Sequence, residues 1–386
     1  MKLRKIIIAP DSFKGTLSAK TVADIVADEA VKALPGCTIV KIPIADGGEG
    51  SLETIMSCAR GRIFQAQVLS PDDRVITASY GIMDDSTAIL EMAQSSGLTK
   101  QTWLHPLTSS TYGFGQLISA ALDRGARSFV LCIGGSATTD GGCGMAAALG
   151  VEFTDAGGAR FIPCGGTLRS IAVIDMSGLD PRVRESAFTV MCDVSNPLYG
   201  TDGAAYVYGP QKGAGAEDIR LLDRGLRNFA KMLRAHFGAS ADFAGFDGAG
   251  AAGGLGAGSM AFLGASLVSG SEAILELCGF KDHVADADLV ITGEGRLDAQ
   301  SFSGKALSGI LRASTGVPVC SICGTSSCTA ELLERHGLKV FQACEGVSAE
   351  ESMNEPEKHL RLAAKRALEY FVRNVEFSTN DAKHFD

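Results

Sequence analysis

The chain has 386 residues, 46% of them hydrophobic and 20% charged, and a formal charge of −9. This length exceeds one ordinary core and predicts two domains. The negative charge argues against a nucleic-acid partner, because binding to a phosphate backbone needs a basic surface. The first apolar run is short and ends at Pro10, which indicates a strand and not a signal peptide, and no run is long enough to span a bilayer. We therefore expect a cytoplasmic globular protein without a membrane partner.

Two strand-helix units begin the chain. Residues 5–10 predict a strand, and Ser18 is placed to cap the helix that follows. Thr38–Ile44 predicts a second strand, which runs into Asp46, paired glycines and Glu49. Acidic loops with glycine after successive strands are typical of the ligand edge of a doubly wound sheet. Helix capping is the alternative role for Asp46 and Glu49.

The pattern changes near residue 62. Three runs typical of strands, Ile63–Leu69, Val75–Ile82 and Thr87–Met92, are separated by turn sequences. They predict an antiparallel meander, and with it the start of a different domain. A helix over Tyr112–Asp123 and a strand over Ser128–Ile133 follow.

A glycine-rich loop, residues 134–144, comes directly after the strand over Ser128–Ile133. Backbone amides in such a loop can converge on a phosphate. A tight turn without a ligand is the alternative, but so many glycines beside Ser136, Thr138 and Asp140 exceed what turning requires. We therefore expect this loop to bind an anion.

Three more segments of the middle region carry polar or glycine-rich signals. A strand over Phe188–Cys192 ends at Asp193 and Asn196, which can orient a hydroxyl, bind a cation or form Asx-turns, and Lys212 lies in a later loop. A Gly-x-Gly-x-x-Gly pattern begins at Gly248, but a poor strand precedes it. It therefore favours helix packing or a close approach to phosphate over NAD binding.

The alternation of strands and helices returns near the carboxyl end. Leu289–Thr292 predicts a buried strand that stops at Gly293-Glu-Gly295 and leads into a polar stretch through Gly304-Lys305. Glycine amides, one Arg and one Lys suit a phosphate or a carboxylate, and Glu294 with Asp298 suits Mg²⁺. An ordinary polar loop is the alternative, because Ala306 replaces the Ser or Thr that a Walker A lysine should precede.

The remaining signals predict strands over Pro318–Ile322 and Leu338–Ala343 and a long helix from about Pro356. The simplest architecture is α/β: a flavodoxin-like parallel sheet formed by residues 1–62 and 279–386. A second α/β domain with antiparallel strands and glycine-rich loops, residues 63–278, would be inserted into it.

The eleven cysteines are scattered and mostly in apolar contexts, so we expect small buried hydrophobic side chains. Cys320 and Cys323, with Cys328 nearby, superficially fit a thiol or zinc motif. Two residues three apart in a strand point to opposite faces, however, and cannot chelate one ion.

Several short stretches occur in a fixed order along nearly the whole chain. They are Ala9–Gly15, Ile44–Gly50, Gly134–Thr138, Cys192–Leu198, Tyr208–Gly213, Gly250–Gly254, Thr292–Ser301 and Gly304-Lys305. Together they resemble the type-1 glycerate kinases, the bacterial glycerate 2-kinases. The resemblance implies phosphorylation of D-glycerate by ATP, dependence on Mg²⁺, and a site in the cleft between a flavodoxin-like domain and an inserted domain. Thr139 and Ala306 depart from the family's usual pattern, which affects fine positioning more than the reaction.

Candidate roles follow from the resemblance and from the needs of phosphoryl transfer, namely a phosphate cradle, a cation and a positioned hydroxyl. Candidate catalytic residues are Asp193, Lys14, Arg296 and Lys212, with Asp193 as the acceptor of the hydroxyl proton and the basic residues, joined by Lys305, holding phosphates and carboxylate. Candidate nucleotide-binding residues are Gly134, Gly135, Ser136, Thr138, Gly141, Gly142, Gly304 and Lys305. Candidate substrate-binding residues are Asp11, Asp46, Gly47, Gly48, Asn196, Glu294, Gln300 and Ser301. Asp46 or Asp298 is expected to bind Mg²⁺.

The expected product is 2-phosphoglycerate, with 3-phosphoglycerate as the alternative. An NAD-dependent dehydrogenase and a non-enzymatic metabolite-binding protein are the remoter alternatives. The chain is expected to act as a monomer or a homodimer.

Overall fold

The computed structural model describes residues 3–13, 15–44, 47–238, 241–302 and 306–381. The predictions for Lys14, Asp46, Gly304 and Lys305 therefore lie outside the described residues. Contacts divide the chain into two compact units, the first formed by Met1–Ala45, Glu53–Ala59 and Ser271–Asp386 and the second by Asp46–Leu52 and Arg60–Gly270. The predicted domains, 1–62 with 279–386 and 63–278, differ from these units by several residues at each junction, and the domain assignment stays a prediction.

Strands and helices are numbered here in chain order. The strands are β1 (Lys5–Pro10), β2 (Thr38–Lys41), β3 (Gly61–Leu69), β4 (Val75–Met83), β5 (Thr87–Glu91), β6 (Ser128–Cys132), β7 (Glu152–Thr154), β8 (Val173–Asp175), β9 (Ala187–Met191), β10 (Ser266–Val268), β11 (Leu289–Leu297), β12 (Val319–Ser326) and β13 (Leu338–Gln342). The helices are α1 (Ala19–Ala33), α2 (Ser51–Cys58), α3 (Ala93–Ser96), α4 (Tyr112–Asp123), α5 (Cys143–Ala148), α6 (Pro181–Arg184), α7 (Ala204–Tyr208), α8 (Ala216–Phe237), α9 (Ala251–Leu263), α10 (Gly270–Leu277), α11 (Phe280–Val284), α12 (Ala306–Ala313), α13 (Ala330–Arg335), α14 (Ala349–Asn354) and α15 (Pro356–Asp381).

The first unit contains a parallel five-stranded sheet in the order β13-β12-β11-β1-β2. Counted along the chain from the β2 edge, this is the 2-1-3-4-5 order of flavodoxin-like folds, so the predicted fold class is confirmed. The Ser18 side chain caps α1 by accepting from the Thr21 amide at 3.1 Å, as predicted. The apolar face of α1 packs with α15 in one core cluster that includes Ile8, Ile25 and Leu360.

The predicted end of the strand at Thr292 is wrong, because β11 continues to Leu297. Its partner β12 also extends past its predicted end to Ser326, so that Arg296 pairs with Thr325. Gly293 permits this pairing, since a Cβ there would lie 2.1 Å from the Ile322 carbonyl oxygen. The glycines therefore allow close strand contact and do not form the sharp exit that the sequence indicated.

The second unit is built on a six-stranded mixed sheet in the order β10-β9-β6-β5-β4-β3. The β3, β4 and β5 strands are antiparallel neighbours, which confirms the predicted meander. The β5, β6, β9 and β10 strands run parallel. Parallel strands bring their carboxyl ends to one edge, so the loops after β6 and β9 lie side by side.

A disulfide joins Cys58, at the end of α2, to Cys278, after α10, with the two Cα atoms 5.8 Å apart. The expectation of buried unpaired cysteines is wrong for this pair. The sequence could not show it, because 220 residues separate the two positions and only the fold brings them together. Cys320 and Cys323 are free and buried, as expected.

Within the described residues, none of the helices has both the length and the apolar character required to cross a bilayer.

Candidate active site

The second unit encloses a cavity of about 230 Å³ at the carboxyl ends of β6 and β9. Its lining includes Gly48, Gly134, Ser136, Asp193, Tyr208 and Lys212. Cys132 and Met191, the last residues of β6 and β9, are partners in the parallel register, so the loops that follow the two strands enter the same space. The topology thus brings together residues predicted separately from three distant sequence motifs.

Close contact between two glycine-bearing loops shapes one wall of this cavity. The Gly134 amide donates to the Gly47 carbonyl oxygen at 2.8 Å. A Cβ at Gly134 would lie 2.6 Å from the Gly48 Cα, and Gly135 has a left-handed φ of 75°. Glycine is therefore needed at position 134 for the two loop backbones to come this close. Gly135 is exposed, so its backbone is accessible at the cavity.

Lys212 is the one fully buried cation described in this unit, with 1% of its surface exposed. Its Nζ donates to Ser136 Oγ at 2.7 Å and to the Thr138 carbonyl oxygen at 2.6 Å. Burial lowers the pKa of Lys212 from 10.5 to about 7, although the charge of Asp140 acts in the opposite direction. The structure thus holds the Lys212 amine against the loop for which phosphate binding was predicted.

Asp140 organises the interior of the same loop. Its carboxylate is fully buried and accepts from Thr111 N and Oγ1, both at 2.8 Å, and from the amides of Gly142 and Gly144. Burial raises the pKa of Asp140. The Gly141 amide donates to the Gly253 carbonyl oxygen, so the amides of Gly141 and Gly142 already have acceptors inside the protein. The nucleotide-binding role of Gly141, Gly142 and the buried Thr138 stays a prediction.

The Gly-x-Gly-x-x-Gly segment packs against this loop. Ala252, Gly253 and Gly254 are left-handed, and a Cβ at Gly253 would lie 2.1 Å from the Thr138 carbonyl oxygen. A Cβ at Gly258 would lie equally close to the Gly141 carbonyl oxygen. These contacts support the helix-packing role that the sequence favoured over NAD binding.

Asp193 and Asn196 follow β9, but only Asp193 lines the cavity. One oxygen of Asp193 accepts from Ser269 Oγ and from the Gly270 amide, both at 2.9 Å. Asn196 donates to the Asp202 carbonyl oxygen and accepts from the Tyr208 hydroxyl at 2.6 Å. Asn196 thus fastens its own loop to Tyr208, while its substrate-binding role stays a prediction.

A second, smaller cavity of about 20 Å³ lies in the first unit. Its lining includes Asp11, which follows β1, Thr292 and Glu294 within β11, and Ser321 within β12. The Asp11 amide donates to the Gly293 carbonyl oxygen at 2.7 Å, which ties the two predicted segments together. The hydroxyl of Ser321 is buried and has no hydrogen-bond partner among the described residues.

The other predicted residues of the first unit lie along or just after β11. Arg296 is exposed. Asp298 accepts from the Gln300 amide at 2.9 Å and its own amide donates to Ser301 Oγ, so these residues form a short capped turn. This is the local capping role that acidic loop residues often have. Metal binding by Asp298 and substrate binding by Gln300 and Ser301 stay predictions.

Sequence reasoning missed Ser321, and it missed Ser269 and Gly270 as the partners of Asp193. Ser321 lies inside an apolar strand, where a single Ser gives no local signal of a role. Its position beside Thr292 of β11, level with Ala9 of β1, depends on sheet order, which the sequence alone indicated only in outline.

The residues present fit the two groups that the resemblance implies, the phosphates of a nucleotide and Mg²⁺. Gly134 leaves no room for a side chain where the backbone meets the cavity, and the Lys212 amine lies next to it, as suits a phosphate. The carboxylates of Asp11 and Glu294, with the unpartnered Ser321 hydroxyl, offer the oxygen donors that Mg²⁺ prefers.

Comparisons with known proteins show the family to which the chain belongs. A family model described as the glycerate kinase family matches residues 6–372. The chain is 44% identical to a glycerate kinase of Bacillus subtilis (strain 168) and 42% identical to a glycerate 2-kinase of Escherichia coli (strain K12), in each case covering 86% of this chain and 88% of the relative. A solved structure from Salmonella typhimurium LT2, assigned as a glycerate kinase 2, superposes with a TM-score of 0.83 at 37% identity, covering 97% of this chain and all of that one. The chain therefore belongs to the glycerate kinase family and is a phosphotransferase.

Proposed function

We propose that this kinase transfers a phosphoryl group from Mg-ATP to D-glycerate and forms 2-phosphoglycerate and ADP. The observation that carries the proposal is the 230 Å³ cavity, at which the backbone of Gly134 and Gly135, the Lys212 amine and the Asp193 carboxylate meet. Phosphoryl transfer is catalysed mainly by positioning and by electrostatic stabilisation, and these are the groups that supply both.

The roles divide by charge. Lys212, with Arg296, Lys14 and Lys305, is proposed to hold phosphates and the glycerate carboxylate, and Asp193 is proposed to accept the proton of the reacting hydroxyl. Mg²⁺, proposed to bind Asp298 or Asp46, would neutralise charge on the phosphates. Gly47, Gly48, Gln300, Ser301 and Asn196 are proposed to contact the substrate.

The proposed product depends on how the carboxylate is held. A bidentate contact from Arg296 would fix the adjacent C2 hydroxyl, whereas the C3 hydroxyl would stay free to rotate. The fixed hydroxyl is the better acceptor, which favours 2-phosphoglycerate over 3-phosphoglycerate. The name of the Escherichia coli relative, glycerate 2-kinase, supports the same choice.

The NAD-dependent alternative is weaker. The segment from Gly248 to Gly253 follows no strand among the described residues, and backbone carbonyls of Pro197 and Thr138 already lie against Gly250 and Gly253. Equilibrium binding of NADH and of ATP to the purified chain separates the two: we expect saturable ATP binding and none for NADH.

A coupled assay tests the reaction and its product. The purified chain is incubated with ATP, Mg²⁺ and D-glycerate, ADP is measured directly, and a parallel reaction contains enolase, which acts on 2-phosphoglycerate but not on 3-phosphoglycerate. We expect ADP and phosphoenolpyruvate to form at equal rates when enolase is in excess. ADP formation without phosphoenolpyruvate, restored by adding a phosphoglycerate mutase, would reject the 2-phosphoglycerate assignment alone. No ADP formation by folded protein across several divalent ions would reject the proposed reaction.

A further inference from the structure

A second group of potential ligands lies in the first unit at the corner between α14 and α15, apart from both cavities. It consists of Glu351, Glu355 and His359, which follow each other at intervals of four residues. The Glu355 amide donates to the Glu351 carbonyl oxygen at 3.0 Å, and the His359 amide donates to that of Glu355 at 3.3 Å. Glu355 has a non-helical backbone and lies between the two helices, but these hydrogen bonds link the two helices at the corner.

The three side chains converge. One carboxylate oxygen from each glutamate and one ring nitrogen of His359 all lie within 4.8 Å of one another. His359 Nε2 is 3.9 Å from Glu351 Oε1, too far for a hydrogen bond but close enough for both atoms to contact one ion. Both glutamates are exposed, so their side chains can adjust.

His359 supplies an independent reason to expect a ligand. Only 5% of its surface is exposed, and its Nε2 has no hydrogen-bond partner among the described residues. An unpaired polar atom in such a position destabilises the folded state. The neighbouring Leu360 belongs to the core, which fixes the helical turn that carries the ring. The unpartnered nitrogen lies beside two carboxylates, which is the environment of a cation.

Charge favours the same conclusion. Lys358 donates a hydrogen bond to Glu355 Oε2 at 2.5 Å, so the Glu355 carboxylate already contacts one cationic group. Glu351 adds a second carboxylate. Lys358 also competes with a cation for Glu355, so its removal offers a test in the opposite direction to removal of a ligand.

The donor set selects the class of metal. Imidazole nitrogen with carboxylate oxygen suits zinc, whereas Mg²⁺ and Ca²⁺ prefer oxygen donors alone. Zinc lies about 2.0–2.2 Å from such donors in a tetrahedral arrangement, so two ligands of one ion lie about 3.3–3.6 Å apart. The separation of 3.9 Å between His359 and Glu351 is slightly larger than this, and separations of up to 4.8 Å shorten to it when the exposed glutamate side chains move by roughly 1–1.5 Å.

We propose that Glu351, Glu355 and His359 form a zinc site that fastens the end of α14 to the first turn of α15. Three protein ligands leave a fourth position for water, as in many zinc sites. The site is independent of the proposed reaction, since none of its residues lines either catalytic cavity.

Zinc binding is measured on the full chain after treatment with a chelator, by competition with a chromophoric zinc indicator. Because free cysteines can also bind zinc, the variants decide the result. The double variant Glu351→Gln with Glu355→Gln changes exposed side chains only, and His359→Ala removes the nitrogen ligand. The control is Glu357→Gln, because Glu357 is an exposed glutamate of the same helical turn but lies outside the site. We expect the wild type and the control to bind one more zinc ion per chain than the double variant and His359→Ala do. If the number of bound ions is equal, we expect the zinc affinity of the wild type and the control to be at least about tenfold higher. Lys358→Met should tighten binding severalfold.

Two further readouts separate this site from thiol binding and from loss of folding. X-ray absorption of the one-to-one zinc complex should show nitrogen and oxygen ligands at about 2.0–2.2 Å and no sulfur at about 2.3 Å. Zinc should raise the melting temperature of the wild type and of Glu357→Gln, but not that of the folded double variant. Equal zinc affinity in the double variant and the wild type, or a sulfur ligand shell, would overturn the proposal.

Discussion

Asp193 shows how one substitution can separate structure from chemistry. Its carboxylate accepts from Ser269 and Gly270, and an Asn side chain keeps an oxygen that can accept both bonds. Asp193→Asn should therefore fold normally but lose the ability to take up the hydroxyl proton. We expect kcat to fall on the order of 10²-fold, with little change in ATP affinity. Steady-state kinetics and equilibrium ATP binding measure the two effects.

The control for this variant is Asp202→Asn, an exposed carboxylate in the following loop, which should leave kcat unchanged. Near-normal kcat in Asp193→Asn would contradict the proposed role and move the base to Asp46 or Asp298.

Lys212 makes stability depend on pH, because burial lowers its pKa to about 7 in the folded chain, whereas an unfolded lysine titrates near 10.5. Between these values the unfolded state binds more protons, so the free energy of unfolding rises with pH by at most about 1.4 kcal/mol per pH unit from this group. Below pH 7 both states are protonated and the cost of burying the charge is fully present. Lys212→Met should remove this rise and stabilise the chain at pH 6 relative to the wild type.

Urea unfolding of both proteins at pH 6, 7, 8 and 9 measures the difference. Lys231→Met, which changes an exposed lysine of the same unit, serves as the control and should keep the wild-type slope. The interpretation fails if Lys212→Met has the same pH dependence as the wild type between pH 7 and 9.

At the scale of elements, the start of α9 determines the position of the loop after β6. Gly253 and Gly264 both have left-handed φ angles, 69° and 64°. Only Gly253 faces a backbone oxygen, because a Cβ added there would lie 2.1 Å from the Thr138 carbonyl oxygen, whereas a Cβ at Gly264 would meet nothing within 4 Å. Gly264→Ala should cost about 1–2 kcal/mol for its left-handed backbone alone. Gly253→Ala should cost more than about 3 kcal/mol, because the helix and the loop must also separate.

Chemical denaturation of the two alanine variants gives the comparison, and the catalytic rate gives a second one. Because the Gly253 contact involves the loop that holds Lys212, only that variant should also lose activity under conditions where it is folded. Equal destabilisation by the two substitutions would show that steric contact at Gly253 is not decisive.

The extension of β11 also matters at this scale. Residues two apart in a strand point to the same face, so Glu294 and Arg296 project together from β11 instead of lying in a flexible loop. A strand holds side chains more precisely than a loop does, which is the requirement for a residue that positions a substrate.

At the scale of the whole molecule, the Cys58 to Cys278 disulfide closes a very long loop of chain. Cross-linking residues 220 apart reduces the entropy of the unfolded state, and a contribution of about 2–4 kcal/mol is typical. The double variant Cys58→Ser with Cys278→Ser should therefore unfold at lower urea concentration, and a reductant should affect the wild type but not this variant. Thiol titration of the denatured, unreduced chain should find nine free cysteines.

Cys37→Ser is the control, because Cys37 is a free, partly buried cysteine of the same unit. Its unfolding should remain sensitive to reductant. A titration that finds eleven free thiols in freshly purified protein would contradict the pairing.

The sequence by itself determined the local elements and the identity of the family. Ser18 and the helical period defined α1, alternating runs and turns defined the β3 to β5 meander, and the ordered motifs indicated a glycerate kinase. These features depend on residues close together in the chain, whose capping, turn chemistry and side-chain period are local properties.

Only the tertiary structure decided the burial of Lys212, the end of β11 and the pairing of Cys58 with Cys278. The pKa of Lys212 is lowered because residues more than 70 positions earlier surround it, and β11 extends because β12 supplies hydrogen-bond partners up to Ser326. Each outcome depends on contacts between distant segments. The free energies of these contacts come from desolvation of Lys212, from hydrogen bonding between β11 and β12, and from the lower entropy of a cross-linked unfolded chain. None of these is a property of one stretch of sequence.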